Sequence, residues 1–249
     1  MNPELGAGQH PLLRDAESAE NATRGFLAAG EASRRPIHVL HVSAAGEVEM
    51  IAAAQERGVD VTSEITPQHL WFSAPWAYEK LGSRVQQNPP IRDEAHRVAL
   101  FDAFREGFFD IIGSDHAPHT IDEKARPYPE SPSGMPGVQT TLSVILSLLG
   151  PEEGLATLVR MMAQAPARIY GINGKGHLRE GFDADVAIVD PEHEWVLEAS
   201  DLQSKAGWSP FEGRKLRGWA THTIVGGQVV YEEGELVGQA SGAPIQFDF

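Results

Sequence analysis

The sequence predicts an α/β protein: a run of β/α units forming an incomplete TIM-like (β/α) barrel, followed by a small β domain. Three observations carry this. From about residue 17 to 170, short apolar runs alternate with amphipathic stretches, the order expected of strands and helices around a parallel sheet. Residues able to do chemistry stand just after the apolar runs, at the C-terminal strand ends where barrels and open parallel sheets place their reactive groups. Beyond Pro166 the helical periodicity stops, and strand-like runs punctuated by Gly181, Gly226 and Gly227 replace it.

In chain order, Glu17 to Gly30 reads as a helix and Ile37 to Val42 as a buried strand. Glu47 to Arg57 carries apolar residues at 48, 51, 52 and 54 and stops at Gly58, the usual C-terminal punctuation of a helix. Val59 to Ile65 is the next strand, Glu94 to Glu106 a helix ending at Gly107, and Phe108 to Gly113 a third strand that delivers Asp115 at its end. Val138 to Leu149 and Gly154 to Gln164 read as closing helices, while Gly176 to Asp190 and Thr223 to Tyr231 read as strands. The expected division is residues 1–172 as the C-terminal part of a barrel and 173–249 as a small, sandwich-like β domain. Eight β/α units need about 250 residues on their own. With three clear parallel strands here, the front of the barrel is expected to lie outside this chain.

Composition narrows the function classes. Of 249 residues, 41% are hydrophobic and 22% charged, the balance of a globular protein with a sizeable core. A formal charge of −15 repels phosphate backbones and anionic membranes, so the expected partner is a small-molecule substrate, with no nucleic acid and no membrane. The chain has no cysteine, which leaves His and carboxylates to hold any transition metal. The most apolar stretch, Val138 to Leu149, is broken by Gln139, Thr140, Thr141, Ser143 and Ser147 and falls short of the roughly 20 residues of a membrane helix. Residues 1–30 have no basic flank leading into an apolar run, so the expected location is the cytoplasm.

Candidate site residues follow from position. Asp115 sits at a strand end beside Ser114, with His116 and His119 after it. A carboxylate there can ligate a divalent metal and relay a proton; the alternative is a turn-capping residue in a loop with exposed histidines. His41 ends an apolar strand, and because strand residues alternate faces, at most one of His38 and His41 faces the interior. It is a metal-ligand candidate, against the alternative of a satisfied core histidine. His69 supports a site or occupies a loop. The run Gln87-Asn88-Pro89-Pro90-Ile91-Arg92 is a stiff extended loop that presents Asn88 to an amide or carboxylate, or is a plain connector. A second Gly/Pro loop, residues 131–137, contains Ser133 and Gly134 and suits close backbone approach to a ligand.

Taken together, these strings resemble the amidohydrolase superfamily, and within it the cyclic-amidohydrolase branch of dihydroorotase, allantoinase and hydantoinase. The resemblance rests on His38-Val-Leu-His-Val-Ser43, Glu64-Ile-Thr-Pro-Gln-His-Leu70, Asn88-Pro-Pro-Ile-Arg92, Ser114-Asp-His-Ala-Pro-His119 with Glu123-Lys124, and Gly134-Met-Pro-Gly137. In the tail it rests on Gly176-His-Leu-Arg-Glu-Gly181, Ser209-Pro-Phe-Glu-Gly213 and Thr223-Ile-Val-Gly-Gly227. It implies a metal-dependent hydrolase with Zn2+, two per complete site. His41 would bind one metal; Asp115 would bind the other and act as the catalytic acid/base. Asn88, His119, Ser133 and Gly134 would hold the substrate.

The motifs look most like the dihydroorotase group, which implies reversible cyclisation of N-carbamoyl-L-aspartate to L-dihydroorotate in pyrimidine biosynthesis. An allantoinase- or hydantoinase-type activity and a truncated non-catalytic homologue are the alternatives. The family's His-x-His pair, its adjacent arginine, its metal-bridging lysine or aspartate and one later histidine ligand are expected upstream of Met1. His10 falls in a stretch that resembles the linker after the last of these. An incomplete barrel exposes strand edges, so a homo-oligomer, or association with a chain supplying the missing strands, is expected.

Overall fold

In the computed structural model, residues 3–239 and 242–248 are described. The chain enters through a helical turn, α1 (His10–Leu13), and the long helix α2 (Ala16–Ser33). Asp15 caps α2 by accepting a hydrogen bond from Ser18 N at 2.8 Å, one of the amides a helix start leaves unpaired. Buried Leu27 and Gly30 lie on its inner face. Gly30 lies so near Ile37 that a Cβ there would stand 2.6 Å from Ile37 Cδ1, which sets how closely α2 approaches the next element.

That element, β1 (Ile37–Val39), is followed by α3 (Ala45–Glu56), β2 (Val61–Ile65), α4 (Pro67–Trp71), α5 (Trp76–Leu81), α6 (Glu94–Arg105), β3 (Ile111–Ile112) and α7 (Ile121–Lys124). The strands form a parallel sheet in the order β1-β2-β3, with Ile37 opposite Val61 and Glu64 opposite Ile111. Parallel neighbours joined through helices are consecutive β/α units, so the architecture is α/β and the sheet an incomplete (β/α) barrel. Val39, Val42, Ile51, Val61, Ile65, Leu100, Phe104, Ile111 and Ile112 are buried in this unit's core.

Two strands are shorter than the apolar runs that predicted them. After Val39 the backbone leaves the ladder and turns at His41, which has φ 36°. Before Ile111 the chain is held by Asp110, whose carboxylate accepts from Ser63 N at 3.0 Å. Apolar runs report burial, and burial continues past the last ladder hydrogen bond.

Residues 1–141 and 198–212 make one compact unit; residues 142–197 and 213–249 make the other. The division expected at residue 173 falls inside the second unit, because the helices that precede it associate with the antiparallel sheet. These are α8 (Thr141–Leu149), α9 (Pro151–Leu158), a π-helical turn over Val159–Gln164, and α10 (Ala165–Ile169). Ser143 Oγ on α8 donates to Gly218 O in the sheet at 2.7 Å.

The sheet is a four-stranded antiparallel meander, β4 (Val186–Val196), β5 (Lys215–Val225), β6 (Gln228–Glu232) and β7 (Glu235–Leu236). The run expected as one strand from Thr223 to Tyr231 is a hairpin. Gly226 and Gly227 have φ 57° and 80°, the left-handed pair that a two-residue turn matching the strand twist requires.

Candidate active site

All six candidate residues belong to the first unit. His41 and Asp115 stand just beyond the ends of β1 and β3, and both have left-handed backbones, φ 36° and 43°. Only four non-glycine residues among those described have positive φ, and two of them are these. Such conformations cost about 1–3 kcal/mol and persist where the surroundings enforce them, which they do at functional sites. Because His41 lies past the strand, its backbone turn sets its direction and face alternation does not. His38, still on β1, reaches Thr62 Oγ1 at 2.7 Å and Glu64 Oε2 at 3.4 Å on the neighbouring strand.

Glu64, which the sequence did not single out, lies between the two candidates. Its Oε1 accepts from His41 N at 3.1 Å, and a Cβ on Gly113 would come within 2.6 Å of the same oxygen. Glycine at 113 therefore lets β3 pass this buried carboxylate. Burial pushes the Asp115 carboxyl above the usual range; the nearby His41 opposes this, and the like charge of Glu64 adds to it. A carboxyl so placed keeps a proton more readily than an exposed one does, which suits a group that takes up and gives back a proton.

The turn carrying Asp115 is laced to the second Gly/Pro loop. Ala117 N donates to Met135 O at 3.1 Å, and His116 Nδ1 accepts from Gly137 N at 3.1 Å and Val138 N at 3.3 Å. Gly134 has φ 129°, and a Cβ there would stand 2.5 Å from Ala117 O, so only glycine fits. Gln68 on α4 donates from Nε2 to Ser114 O at 2.8 Å and props the same turn from the other side.

Asn88, Ser133 and His119 join in one hydrogen-bond chain through His10. His10 Nε2 meets Asn88 Oδ1 at 3.0 Å, Gln87 O at 2.9 Å and Ser133 Oγ at 3.5 Å. His119 Nε2 meets Ser133 O at 3.2 Å, and His119 O accepts from Trp208 Nε1 at 2.8 Å. Two carbonyl-type acceptors fix the His10 proton on Nε2 and leave Nδ1 to accept from Tyr128 OH at 3.4 Å. Burial holds the pKa of this imidazole below its ordinary value. A lone histidine before Pro11 gives no sequence signal of such a role.

A cavity of 620 Å³ brings His41 and Asn88 together with Arg14, Arg92 and Tyr128. Asp115, His119, Ser133 and Gly134 do not line it. Arg92 is buried, its Nε donating to Ser43 Oγ at 3.2 Å and one terminal nitrogen to Arg14 O at 3.1 Å. His69 is wholly buried on α4, with Nδ1 2.8 Å from Thr66 Oγ1 and Nε2 3.2 Å from Pro89 O. Its burial, then the positive charges of His41 and Arg92, hold its pKa down at about 3. The structure thus gives His69 a buried supporting position rather than a free loop position.

A metal centre needs more ligands than these residues supply. Among those described, no three His, Asp or Glu side chains lie close enough to hold a metal ion. Structural zinc takes four ligands, and catalytic zinc three protein ligands with one open position. His41 and Asp115 do not by themselves fit the two-zinc centre that the family resemblance implies.

The strand-end site on parallel β/α units defines the class, a (β/α)-barrel protein with its polar groups gathered at the carboxyl ends of the strands. The chain belongs to the amidohydrolase family, whose model matches residues 26–230. It is 40% identical over 235 residues to the dihydroorotase of Geobacter metallireducens, covering 93% of this chain and 54% of that protein. To the dihydroorotase of Methanothermobacter thermautotrophicus it is 33% identical over 241 residues, covering 96% and 54%. Among solved structures it superposes on L-hydantoinase (dihydropyrimidinase) from Arthrobacter aurescens with TM-score 0.82 and 32% identity, covering 88% of this chain and 50% of that one. The dihydropyrimidinase of Brevibacillus agri gives TM-score 0.86 at 26% identity, covering 92% and 52%. The chain therefore spans about half the length of the relatives it matches.

Proposed function

We propose that this chain is the C-terminal portion of a dihydroorotase-like cyclic amidase, with residues 1–172 from its barrel and 173–249 as its small β domain. The observation that carries the reading is the likeness to dihydroorotases over more than nine-tenths of the chain, joined to the strained placement of His41 and Asp115 beyond the ends of β1 and β3, the two strands that flank β2. The reaction is the reversible cyclisation of N-carbamoyl-L-aspartate to L-dihydroorotate. In the hydrolytic direction water adds across the ring amide: the C–N bond breaks, a hydroxyl joins the carbonyl carbon, and a proton reaches the departing nitrogen.

Asp115 carries that proton, as its raised pKa suits. Asn88, the Ser133-Gly134 segment and His119 orient the ring. Zn2+ belongs to the proposal through the family; His41 and Asp115 would each give one ligand, and the remaining ligands would come from beyond this chain's described residues. The substrate is a small molecule, and a homo-oligomer or a chain completing the barrel is the proposed partner. No described helix is long and apolar enough to cross a membrane, and a cytoplasmic location is proposed.

Hydantoinase-type activity is the second reading, favoured by the 32% identity to L-hydantoinase. A non-catalytic homologue is the third, favoured by the lack of a three-ligand group among the described residues. Titration of the 15N-labelled chain with L-dihydroorotate, hydantoin and allantoin separates them. The proposal expects shifts at Asn88, Ser133 and Gly134 with L-dihydroorotate at the lowest concentration. Tighter binding of hydantoin or allantoin, or no response to any of the three, contradicts it.

A further inference from the structure

Lys124 ends the short helix α7 and is 1% exposed. Its Nζ lies 3.1 Å from Gln86 O, 2.7 Å from Pro132 O and 2.9 Å from Gly134 O, three neutral carbonyls from two separate loops. A charge taken out of water costs several kcal/mol unless its hydrogen-bonding capacity is met. Here it is met in full, because an ammonium has three protons and three acceptors face it. Burial pulls the amine down to about 8, and the three acceptors favour its charged form, so at pH 7 it is an ammonium.

The same loops are tied a second time through Gln86. Its Nε2 donates to Ser131 O at 2.8 Å, its Oε1 accepts from Ser131 Oγ at 2.8 Å, and its carbonyl accepts from Gly134 N at 2.8 Å as well as from Lys124. Ser83 Oγ donates to Lys124 O and fixes the start of the first loop. Without the cation, the carbonyls of Gln86, Pro132 and Gly134 would converge with like dipoles facing one another. The segments they belong to carry Asn88 on one side and Ser133 and Gly134 on the other.

We propose that Lys124 is a positioning residue whose ammonium clamps the Ser133-Gly134 segment to the Gln86-Gln87-Asn88 segment and so fixes the wall against which the ligand lies. This rests on the reading that Asn88, Ser133 and Gly134 bind the ligand, and the experiment separates the two claims. Lys124→Met keeps the apolar stem and removes the charge. The chain has no cysteine, so Lys124→Cys, aminoethylated with 2-bromoethylamine while unfolded and then refolded, restores an ammonium of near-lysine length at this position alone.

In Lys124→Met, amide exchange at residues 86–88 and at Ser131, Ser133 and Gly134 should quicken at least tenfold while α6 amides keep their rates, and affinity for L-dihydroorotate should fall at least tenfold. Aminoethylation should recover both. Unchanged exchange in the folded methionine variant, or an aminoethylated chain no better than that variant, overturns the clamp. Where neither variant folds, the wild-type 15N spectrum decides: a slowly exchanging Lys124 ammonium signal at pH 7 supports the clamp, and its absence overturns it. A wild-type chain that ignores L-dihydroorotate refutes the ligand reading, while the exchange arm still judges the clamp.

Discussion

Acid should unfold the first unit largely through one residue. His69 titrates at about 3 in the fold against an ordinary 6.5. Below 6.5 the unfolded chain takes up a proton that the folded chain refuses, so the unfolded state binds more protons between 6.5 and 3. Stability contributed by neutral His69 is therefore complete above pH 6.5 and is lost as the pH falls toward 3. A gap of 6.5 − 3 = 3.5 pH units at about 1.4 kcal/mol each is worth about 5 kcal/mol. His69→Gln removes the titration. At pH 7 it should be less stable by about 1–3 kcal/mol, because the contacts to Thr66 and Pro89 are lost or bent.

Urea unfolding followed by tryptophan fluorescence suits the measurement, since Trp71 lies two positions along the same short helix. Carboxylates titrate in both proteins, so the difference between the two stability curves isolates His69. Wild type should lose about 5 kcal/mol more than the variant between pH 6.5 and 3, and the curves should cross. Curves that stay parallel to within about 0.5 kcal/mol across that window would refute the buried, neutral imidazole.

Two further substitutions probe the site. Gly134→Ala places a Cβ 2.5 Å from Ala117 O at φ 129°. Backbone strain and overpacking together should cost about 2–6 kcal/mol in urea unfolding, and a loss under about 1 kcal/mol would mean the loop does not press on the Asp115 turn. Asp115→Asn keeps a residue type that accepts the left-handed backbone and removes a carboxylate that the fold disfavours. Its melting temperature should equal or exceed that of wild type, while hydrolysis by a completed barrel falls about 10²-fold or more; a less stable variant would show that the carboxylate is stabilising.

The sequence revealed those parts of the fold whose signal is local. Helix α2 was legible from the run Glu17 to Gly30 and α6 from Glu94 to Glu106 with Gly107 after it; in the structure Asp93 caps α6, its side chain accepting from Ala95 N and His96 N at 3.1 and 3.2 Å. Asp115 and His41 were legible from their position after apolar runs. What stayed hidden depends on contacts between distant residues. His10 meets Asn88 and Ser133, which lie 78 and 123 positions further along the chain, only once the chain has folded back.

Lys124 stood in a family-like string with no role assigned to it, because nothing near it in the chain shows that three carbonyls will enclose it. Glu64 sat in a strand whose apolar pattern it interrupts, a mark that could have been read, since a carboxylate in a buried strand requires a partner. The short helices α4 and α5 escaped notice because five or six residues are too few to show a period.

The central claim is that Asp115 serves the opening and closing of dihydroorotate. Its most direct test joins this chain to the part of the Geobacter metallireducens dihydroorotase that it does not match. The zinc-loaded product is then assayed for loss of L-dihydroorotate by ultraviolet absorbance. The account predicts L-dihydroorotate hydrolysis in preference to hydantoin and allantoin, and its disappearance with Asp115→Asn. Faster turnover of hydantoin or allantoin, or undiminished hydrolysis in the asparagine variant, would contradict it.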